Sequence, residues 1–158
     1  MATSARAVAN EFLRLAEEDG RALTPLQIIK LVYIAHGWML ALYQRPLITD
    51  RIEAWKYGPV IPQLYHDMKG YGASSVAGWL PEAFPKPKPL DPQETDLICQ
   101  VYKIYGKVPA GKLSAMTHEP GSPWSHVTSN GLSKEPFLKI ENDLIKEYFR
   151  DKNKKKIP

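Results

Sequence analysis

The stretch TPLQIIKLVYIAHGWMLALYQ, residues 24–44, decides how this chain folds. It opens with a capping box that has Pro at the first helical position, which is a strong helix start. After that start, only Lys30 and His36 interrupt an almost unbroken set of apolar and small side chains. A helix that is hydrophobic on nearly all sides belongs at the centre of a domain, so the sequence predicts a core helix over about residues 25–44.

Amphipathic stretches on both sides of this segment predict further helices around it. They span about residues 5–18, 60–71, 92–105, 110–118 and 142–151, and residues 119–136 are expected to form a loop. Alternation within residues 47–57 predicts a short strand or hairpin, and PFLKI at residues 136–140 a short strand. The expected fold is mainly α (α+β): one compact helical domain of about five or six helices with a small β-hairpin or short sheet.

A chain of 158 residues suits a single domain, which we expect to cover residues 1–151. Residues 72–90 are rich in Pro and Gly and predict a long surface loop, in which FPKPKP runs as polyproline II. Residues 152–158 are predicted to form a basic, flexible tail.

The net charge of +4 comes from the end of the chain. Residues 146–158 carry six basic and two acidic side chains, and the remainder is balanced. A tail such as DKNKKK can contact nucleic acid, but a solvated terminus is the simpler interpretation. We therefore expect no nucleic-acid partner.

Composition also restricts the location of the protein. No apolar leader and no run of about 18 apolar residues is found, so neither secretion nor membrane insertion is predicted. Cys99 is the single cysteine and has no internal partner for a disulfide. These features indicate a cytoplasmic protein.

Residues typical of catalysis are sparse. The chain lacks a phosphate-binding loop, a nucleophile elbow and histidines at i, i+4 spacing, so no cofactor and no metal are expected. Two polar groupings remain, the pair His66–Asp67 and the segment THEPGSPWSH at residues 117–126. Either offers a general acid or base, although a hydrogen-bonded turn packed under Trp124 is the simpler interpretation of the second.

Large aromatic residues are concentrated near a Gly-Pro pair in RIEAWKYGPVIPQLYHDMKGYG, residues 51–72. Each of these aromatics alone is most simply a core residue. Together with Trp124 they also resemble a recognition patch, because Tyr and Trp dominate binding hot spots.

Three segments of the chain together resemble the Panacea domain family, also described as SocA-like or GepA-like phage-associated proteins. They are TPLQIIKLVYIAHGW (24–38), IEAWKYGPVIPQLYHDMKGYG (52–72) and KLSAMTHEPGSPW (112–124). The closing KIENDLIKEYF (139–149) is similar to the family's terminal strand and helix. The order and spacing of these motifs make the resemblance fairly specific.

The resemblance implies an antitoxin that binds and neutralises a toxin encoded by a neighbouring gene. It also implies an alternative in which the protein is an adaptor that delivers its toxin to a protease or unfoldase. The positions that carry over are Lys30, Tyr33, Trp55, Gly58, Pro59, Leu113, Thr117, His118 and Trp124.

For toxin binding, the candidate residues are Tyr57, Tyr65, Lys69, Tyr71 and His118. We expect Gly58-Pro59 to pin the start of the helix at about residue 60, with Trp55 and Pro59 as scaffold and the tyrosines as a rigid contact surface. A third reading, from a different class, is a small hydrolase that uses His118, Glu119 or His66. It requires a concave polar pocket around one of these side chains.

Overall fold

The computed structural model describes residues 2–81 and 88–155. These residues form seven α-helices, a 3₁₀ turn at Lys69–Tyr71 and a small antiparallel sheet. The helices are α1 (Ala5–Glu18), α2 (Pro25–Tyr43), α3 (Pro62–Met68), α4 (Pro92–Tyr105), α5 (Ala110–Thr117), α6 (Pro123–Val127) and α7 (Asn142–Lys155). The strands are β1 (Glu53–Trp55), β2 (Gly58–Val60) and β3 (Leu138–Lys139). The predicted helical fold with a small sheet is confirmed.

Helix α2 is the core of the molecule. It contacts α1, α3, α4, α5 and α7, and the predicted capping box forms at its start. Helix α7 approaches closely at Gly37, where an added Cβ atom would lie 2.3 Å from the Phe149 ring. Among the described residues, α2 alone is long and apolar enough to cross a membrane, but 78% of that apolar window is buried inside the protein, as in a core helix.

One of the two polar interruptions of α2, His36, ties three parts of the chain together. Its Nδ1 accepts hydrogen bonds from the backbone N–H groups of Leu47 and Ile48, at 3.2 and 3.3 Å. The hydrogen is therefore on Nε2, which donates to Asn142 Oδ1 at the start of α7, at 2.8 Å. Burial lowers the pKa of His36 to about 4, so the imidazole is neutral at pH 7.

The sheet has the order β2-β1-β3, with both pairs antiparallel. The expectation that Gly58-Pro59 forms a turn leading into a helix at about residue 60 is wrong, because both residues belong to β2 and the helix begins at Pro62. Strand β2 lies at the sheet edge, where a proline without an N–H is tolerated.

Two further differences concern short or terminal segments. Residues 119–136 contain α6, a five-residue helix absent from the prediction. Helix α7 continues to Lys155, so residues 152–155 of the predicted tail are helical. Lysines near a helix C-terminus favour this extension because they complement the helix dipole. Residues 82–87, within the predicted polyproline segment, and residues 156–158 lie outside the described residues.

Candidate functional site

The site is built on the hairpin of β1 and β2, which are joined by the two residues Lys56 and Tyr57. The register pairs Trp55 with Gly58 and Ala54 with Pro59. Gly58 has a φ of 110°, a conformation that favours glycine. The tight turn exposes 62% of the Tyr57 side chain to solvent, while Gly58 and Pro59 are buried.

Lys30 holds this hairpin from inside the protein. Its ammonium nitrogen, fully buried on α2, donates to the carbonyl oxygens of Tyr57 and Pro59 at 3.1 and 2.7 Å. Ser114 on α5 donates a second hydrogen bond to the Tyr57 carbonyl, at 2.6 Å. Gly58 lies against the same groups: a Cβ atom there would be 2.9 Å from Lys30 Nζ and 3.1 Å from Thr117 Oγ1. The turn is therefore fixed from below by α2 and α5.

The environment of Lys30 changes its protonation. Burial lowers its pKa from 10.5 to about 7. None of the described carboxylates forms an ion pair with it, and its described acceptors are the two backbone carbonyls. A neutral amine has two N–H donors, which matches these two acceptors.

Trp124 fastens the hairpin from the other side. Its indole Nε1–H donates to the Trp55 carbonyl at 2.6 Å, and its ring packs edge-to-face with that of His118 at 5.2 Å. Helix α6 positions Trp124, because the Ser122 side chain caps that helix by accepting from the Ser125 N–H at 3.1 Å. Serine followed by proline at residues 122–123 is the sequence signal from which α6 could have been predicted.

The outer face of the hairpin carries an exposed aromatic cluster, which we define as Trp55, Tyr65 and Phe137. The Trp55 ring packs edge-to-face against Tyr65 at 4.9 Å and against Phe137 at 5.9 Å. Tyr65 and Phe137 remain 39% and 60% exposed, and the half-buried Trp55 donates its indole N–H to Glu53 at 2.9 Å. Monomeric surfaces seldom gather aromatics this way unless they bind something.

A groove of about 450 Å³ runs beside the aromatic cluster. Trp55 and Phe137 of the cluster line it together with Trp124, and polar groups contribute to its walls. The lining residues are Ala54, Trp55, Lys56, Trp124, Thr128, Gly131, Ser133, Glu135, Pro136 and Phe137. The groove and the cluster form one continuous surface through their shared residues.

The predicted toxin-binding residues lie in three places: the hairpin and neighbouring α3, the 3₁₀ turn, and the C-terminal end of α5. Tyr57 and Tyr65 are exposed on or beside the hairpin. Lys69 is exposed in the 3₁₀ turn, and Tyr71 packs partly against the core while its hydroxyl donates to the Ala77 carbonyl at 2.9 Å. The Nδ1 atom of His118 is buried and lacks a hydrogen-bond partner among the described residues. Tyr71 and His118 are therefore weaker candidates for a contact surface than Tyr57 and Tyr65.

Most of the motif residues assemble at the hairpin. Gly58 and Pro59 belong to β2, Lys30 and Thr117 lie against its inner side, and Trp124 donates to the Trp55 carbonyl from α6. Leu113 is fully buried in the core, and Tyr33 packs edge-to-face with Phe149 at 6.1 Å, away from the hairpin. Trp55, expected to be scaffold, is half-buried: its carbonyl accepts a hydrogen bond from Trp124, and its ring belongs to the aromatic cluster.

Two residues at this site were not predicted, Ser114 and Phe137. Ser114 lies one helical turn before Thr117, whose hydroxyl donates to the Ser114 carbonyl at 2.9 Å, so the shared face of α5 was a usable signal. Phe137 has a φ of 60° immediately before β3, and its contact with Trp55 joins residues too far apart in the sequence for local patterns to reveal.

Among the candidate catalytic groups, Asp67 and Glu119 are engaged by other side chains and His66 is exposed, whereas the Nδ1 atom of His118 is buried without a hydrogen-bond partner among the described residues. Asp67 accepts two hydrogen bonds from Arg6, at 2.7 and 2.8 Å, and its neighbour His66 is solvent-exposed beside Tyr65. Glu119 accepts from the Tyr148 hydroxyl, and burial, together with this carboxylate, raises the pKa of Tyr148. Within the described ranges, no group of three or more His, Cys, Asp or Glu side chains is placed to bind a metal.

Comparison with known proteins identifies the family. The family model for the SocA-like antitoxins, the Panacea domain, matches residues 28–125. The chain is 32% identical to Antitoxin SocA of Caulobacter vibrioides (strain NA1000 / CB15N), in an alignment that covers 92% of this chain and 82% of that protein. No solved structure matches the chain. The matched region contains the hairpin and the helices that hold it, and the chain belongs to the SocA-like antitoxin family with a Panacea domain.

Proposed function

We propose that this protein is a cytoplasmic antitoxin that neutralises a cognate toxin, encoded by a neighbouring gene, through direct contact with the hairpin surface. The hairpin surface consists of the aromatic cluster (Trp55, Tyr65, Phe137), the adjoining groove and Tyr57. Membership of an antitoxin family supports the general role. The observation that carries the proposed binding surface is the exposure of Tyr57, Tyr65 and Phe137 above a turn whose backbone is fixed from inside.

Rigidity makes these aromatics suitable for tight binding. Tyr and Phe have two side-chain torsions, so little conformational entropy is lost when they become buried. The backbone of Tyr57 loses almost none, because Lys30 and Ser114 already restrain its carbonyl. Preorganisation of this kind raises affinity by lowering the cost of association.

Charge around the hairpin surface favours an apolar and aromatic contact. Lys56 lies above the Tyr57 ring, 5.4 Å from its centroid, while Glu135 lines the groove. Because these opposite charges offset one another, the surface lacks the excess of basic groups that nucleic-acid binding requires. An interface of about 800 Å² on each partner is sufficient for specific binding and would cover the toxin's active or target-binding region.

The test begins with co-purification of the tagged protein and the product of the adjacent gene. Affinities of that product are then measured by calorimetry for the wild type and for Tyr57→Ala, Tyr65→Ala and Phe137→Ala. Each substitution should weaken binding by about tenfold or more while the melting temperature changes little. Tyr43→Ala, which alters a tyrosine 41% exposed at the end of α2, is the matched control.

Two results would contradict the proposal. Equal affinity in all four variants would show that the hairpin surface is not part of the interface. Absence of any complex would rule out direct neutralisation. Proteolytic delivery is distinguished separately: an adaptor accelerates toxin degradation when an unfoldase and its protease are added, whereas a neutralising antitoxin leaves the toxin intact.

A further inference from the structure

The hydroxyl of Tyr33, on the core helix α2, is a buried polar group that the rest of the protein does not satisfy. Only 1% of the Tyr33 surface is exposed, and among the described residues no group forms a hydrogen bond with its hydroxyl. An unpaired buried hydroxyl costs free energy, and for this reason most such groups in folded proteins bond to other protein groups or to ordered water. The surroundings of Tyr33 therefore indicate what its partner is.

A small cavity adjoins Tyr33 where α2, α4, α5 and α7 meet. It leaves about 10 Å³ for the centre of a water molecule, which is room for one water and little more. Five side chains with polar ends contribute to its wall, beside aliphatic and aromatic carbon: Tyr33, Tyr105, Thr117, Tyr148 and Lys152. Its size excludes a phosphate group, a nucleotide or a side chain of a partner protein.

Tyr148, on α7, supplies a hydrogen-bond acceptor to this cavity. Its hydroxyl hydrogen is donated to the Glu119 carboxylate, so its oxygen keeps a lone pair for another donor. The Tyr148 hydroxyl also lies near that of Tyr33, because it adds to the effect of burial in raising the pKa of Tyr33. This raised pKa keeps the Tyr33 hydroxyl protonated, and therefore a donor, at pH 7.

Lys152 borders the cavity one helical turn after Tyr148. Its ammonium nitrogen lies 5.5 Å from the centroid of the Tyr148 ring and 3.9 Å from a Glu119 carboxylate oxygen. The second distance suits an ion pair but exceeds that of a hydrogen bond, so the N–H groups of Lys152 retain donor capacity. Its side chain is 31% exposed, which places it on the solvent side of the cavity.

We propose that this cavity binds one water molecule, which joins the Tyr33 hydroxyl to the Tyr148 hydroxyl. The water accepts the Tyr33 hydrogen and donates one of its own to the Tyr148 oxygen, and the Lys152 ammonium donates to its remaining lone pair. About three partners are typical of a buried water. The resulting chain of hydrogen bonds runs from Tyr33 through the water and Tyr148 to Glu119, and it ties α2 to α7 and to the segment that follows α5. The site is separate from the hairpin surface and does not depend on the proposed function.

A high-resolution crystal structure of the full chain tests the proposal directly. We expect an ordered solvent peak at about 2.5–3.0 Å from both tyrosine oxygens. Tyr33→Phe removes one of the partners, so the peak should weaken or disappear in the structure of that variant. The proposal is overturned if the wild type shows no peak, if the Tyr33 hydroxyl bonds directly to another side chain, or if the peak is unchanged in Tyr33→Phe.

Urea unfolding provides an independent test, because the two cases predict different signs. With the water bound, Tyr33→Phe should raise the equilibrium constant for unfolding by about fivefold, since a hydrogen bond to the water is lost. Without the water, the same substitution only removes an unpaired hydroxyl, and the variant should be as stable as the wild type or more stable. Tyr43→Phe is the matched control: this tyrosine is 41% exposed at the end of the same helix, and the loss of its hydroxyl should leave unfolding unchanged. A Tyr33→Phe variant that is no less stable than the wild type therefore contradicts the proposal, and neither result bears on the toxin-binding test.

Discussion

The ammonium nitrogen of Lys30 lies 2.7 Å from the carbonyl oxygen of Pro59, and so a group that is ordinarily charged supports an edge strand from within the core. This relationship links the interior of α2 to the most exposed part of the hairpin. It also makes the stability of the hairpin sensitive to the protonation of one buried amine.

Stability should therefore depend on pH through Lys30. Its pKa is about 7 in the folded protein and 10.5 ordinarily, so between these values the unfolded chain binds a proton that the folded chain lacks. The free energy of unfolding should rise from pH 7 towards pH 10, by at most about 1.4 kcal/mol per pH unit from this group. Urea unfolding of the wild type and of Lys30→Met measures the difference; parallel pH profiles would contradict the assignment.

His36 should make a second contribution of the same sign, in the acidic part of the pH profile. Its folded pKa of about 4 lies below the ordinary 6.5, so between these values the unfolded chain takes up the extra proton. The free energy of unfolding should fall as pH drops from 6.5 towards 4, by at most about 1.4 kcal/mol per pH unit from His36. The ring resonances of His36 in NMR spectra should not titrate above pH 5. Titration near pH 6.5 would refute its burial.

Gly58→Ala should damage the hairpin through both backbone and contact. Alanine is strained at a φ of 110°, and its Cβ atom would approach Lys30 Nζ to 2.9 Å. We expect a loss of about 2–4 kcal/mol in unfolding free energy, together with weaker toxin binding. Gly78→Ala isolates the backbone contribution, because Gly78 also has a positive φ but nothing lies within 4 Å of an added Cβ atom. Equal losses in the two variants would mean that the contact with Lys30 is unimportant.

Gly37→Ala should separate α7 from α2. The new methyl group would lie 2.3 Å from the Phe149 ring, and overpacking of this kind costs about 1–3 kcal/mol. Gly111→Ala on α5, with no atom within 4 Å of its added Cβ atom, should be neutral or stabilising by up to about 1 kcal/mol. Thermal and urea unfolding measure the change in stability of both variants. A Gly37→Ala variant as stable as the wild type would show that α7 adjusts its position freely.

Local signals predicted most of the helices. Helices α1, α2, α4 and α5 begin and end within one residue of the expected positions, because caps, proline at the first turn and apolar spacing all act within a few residues. Lys30 and His36 stand out as exceptions in α2, but their partners could not be predicted, since the Tyr57 carbonyl is 27 residues from Lys30 and Asn142 is 106 residues from His36.

The hairpin was harder to predict because strand pairing is not local. Gly58-Pro59 has the composition of a turn, and only its pairing with Trp55 and Ala54 at a sheet edge makes it a strand. The site depends on similar long-range contacts: Ser114 reaches the Tyr57 carbonyl across 57 residues, and Trp124 reaches Trp55 across 69. Helix α6 was missed for a simpler reason, since five residues are too few for an apolar period to emerge.

At the turn formed by Lys56 and Tyr57, the backbone and the side chains have different roles. The carbonyl of Tyr57 is held by α2 and α5, whereas its ring contributes little to the packing of the core. Under the proposed function, replacing the ring changes what the hairpin recognises and leaves the interior intact. A lineage of proteins with this arrangement can therefore acquire new partners by successive exposed substitutions, without passing through unstable intermediates.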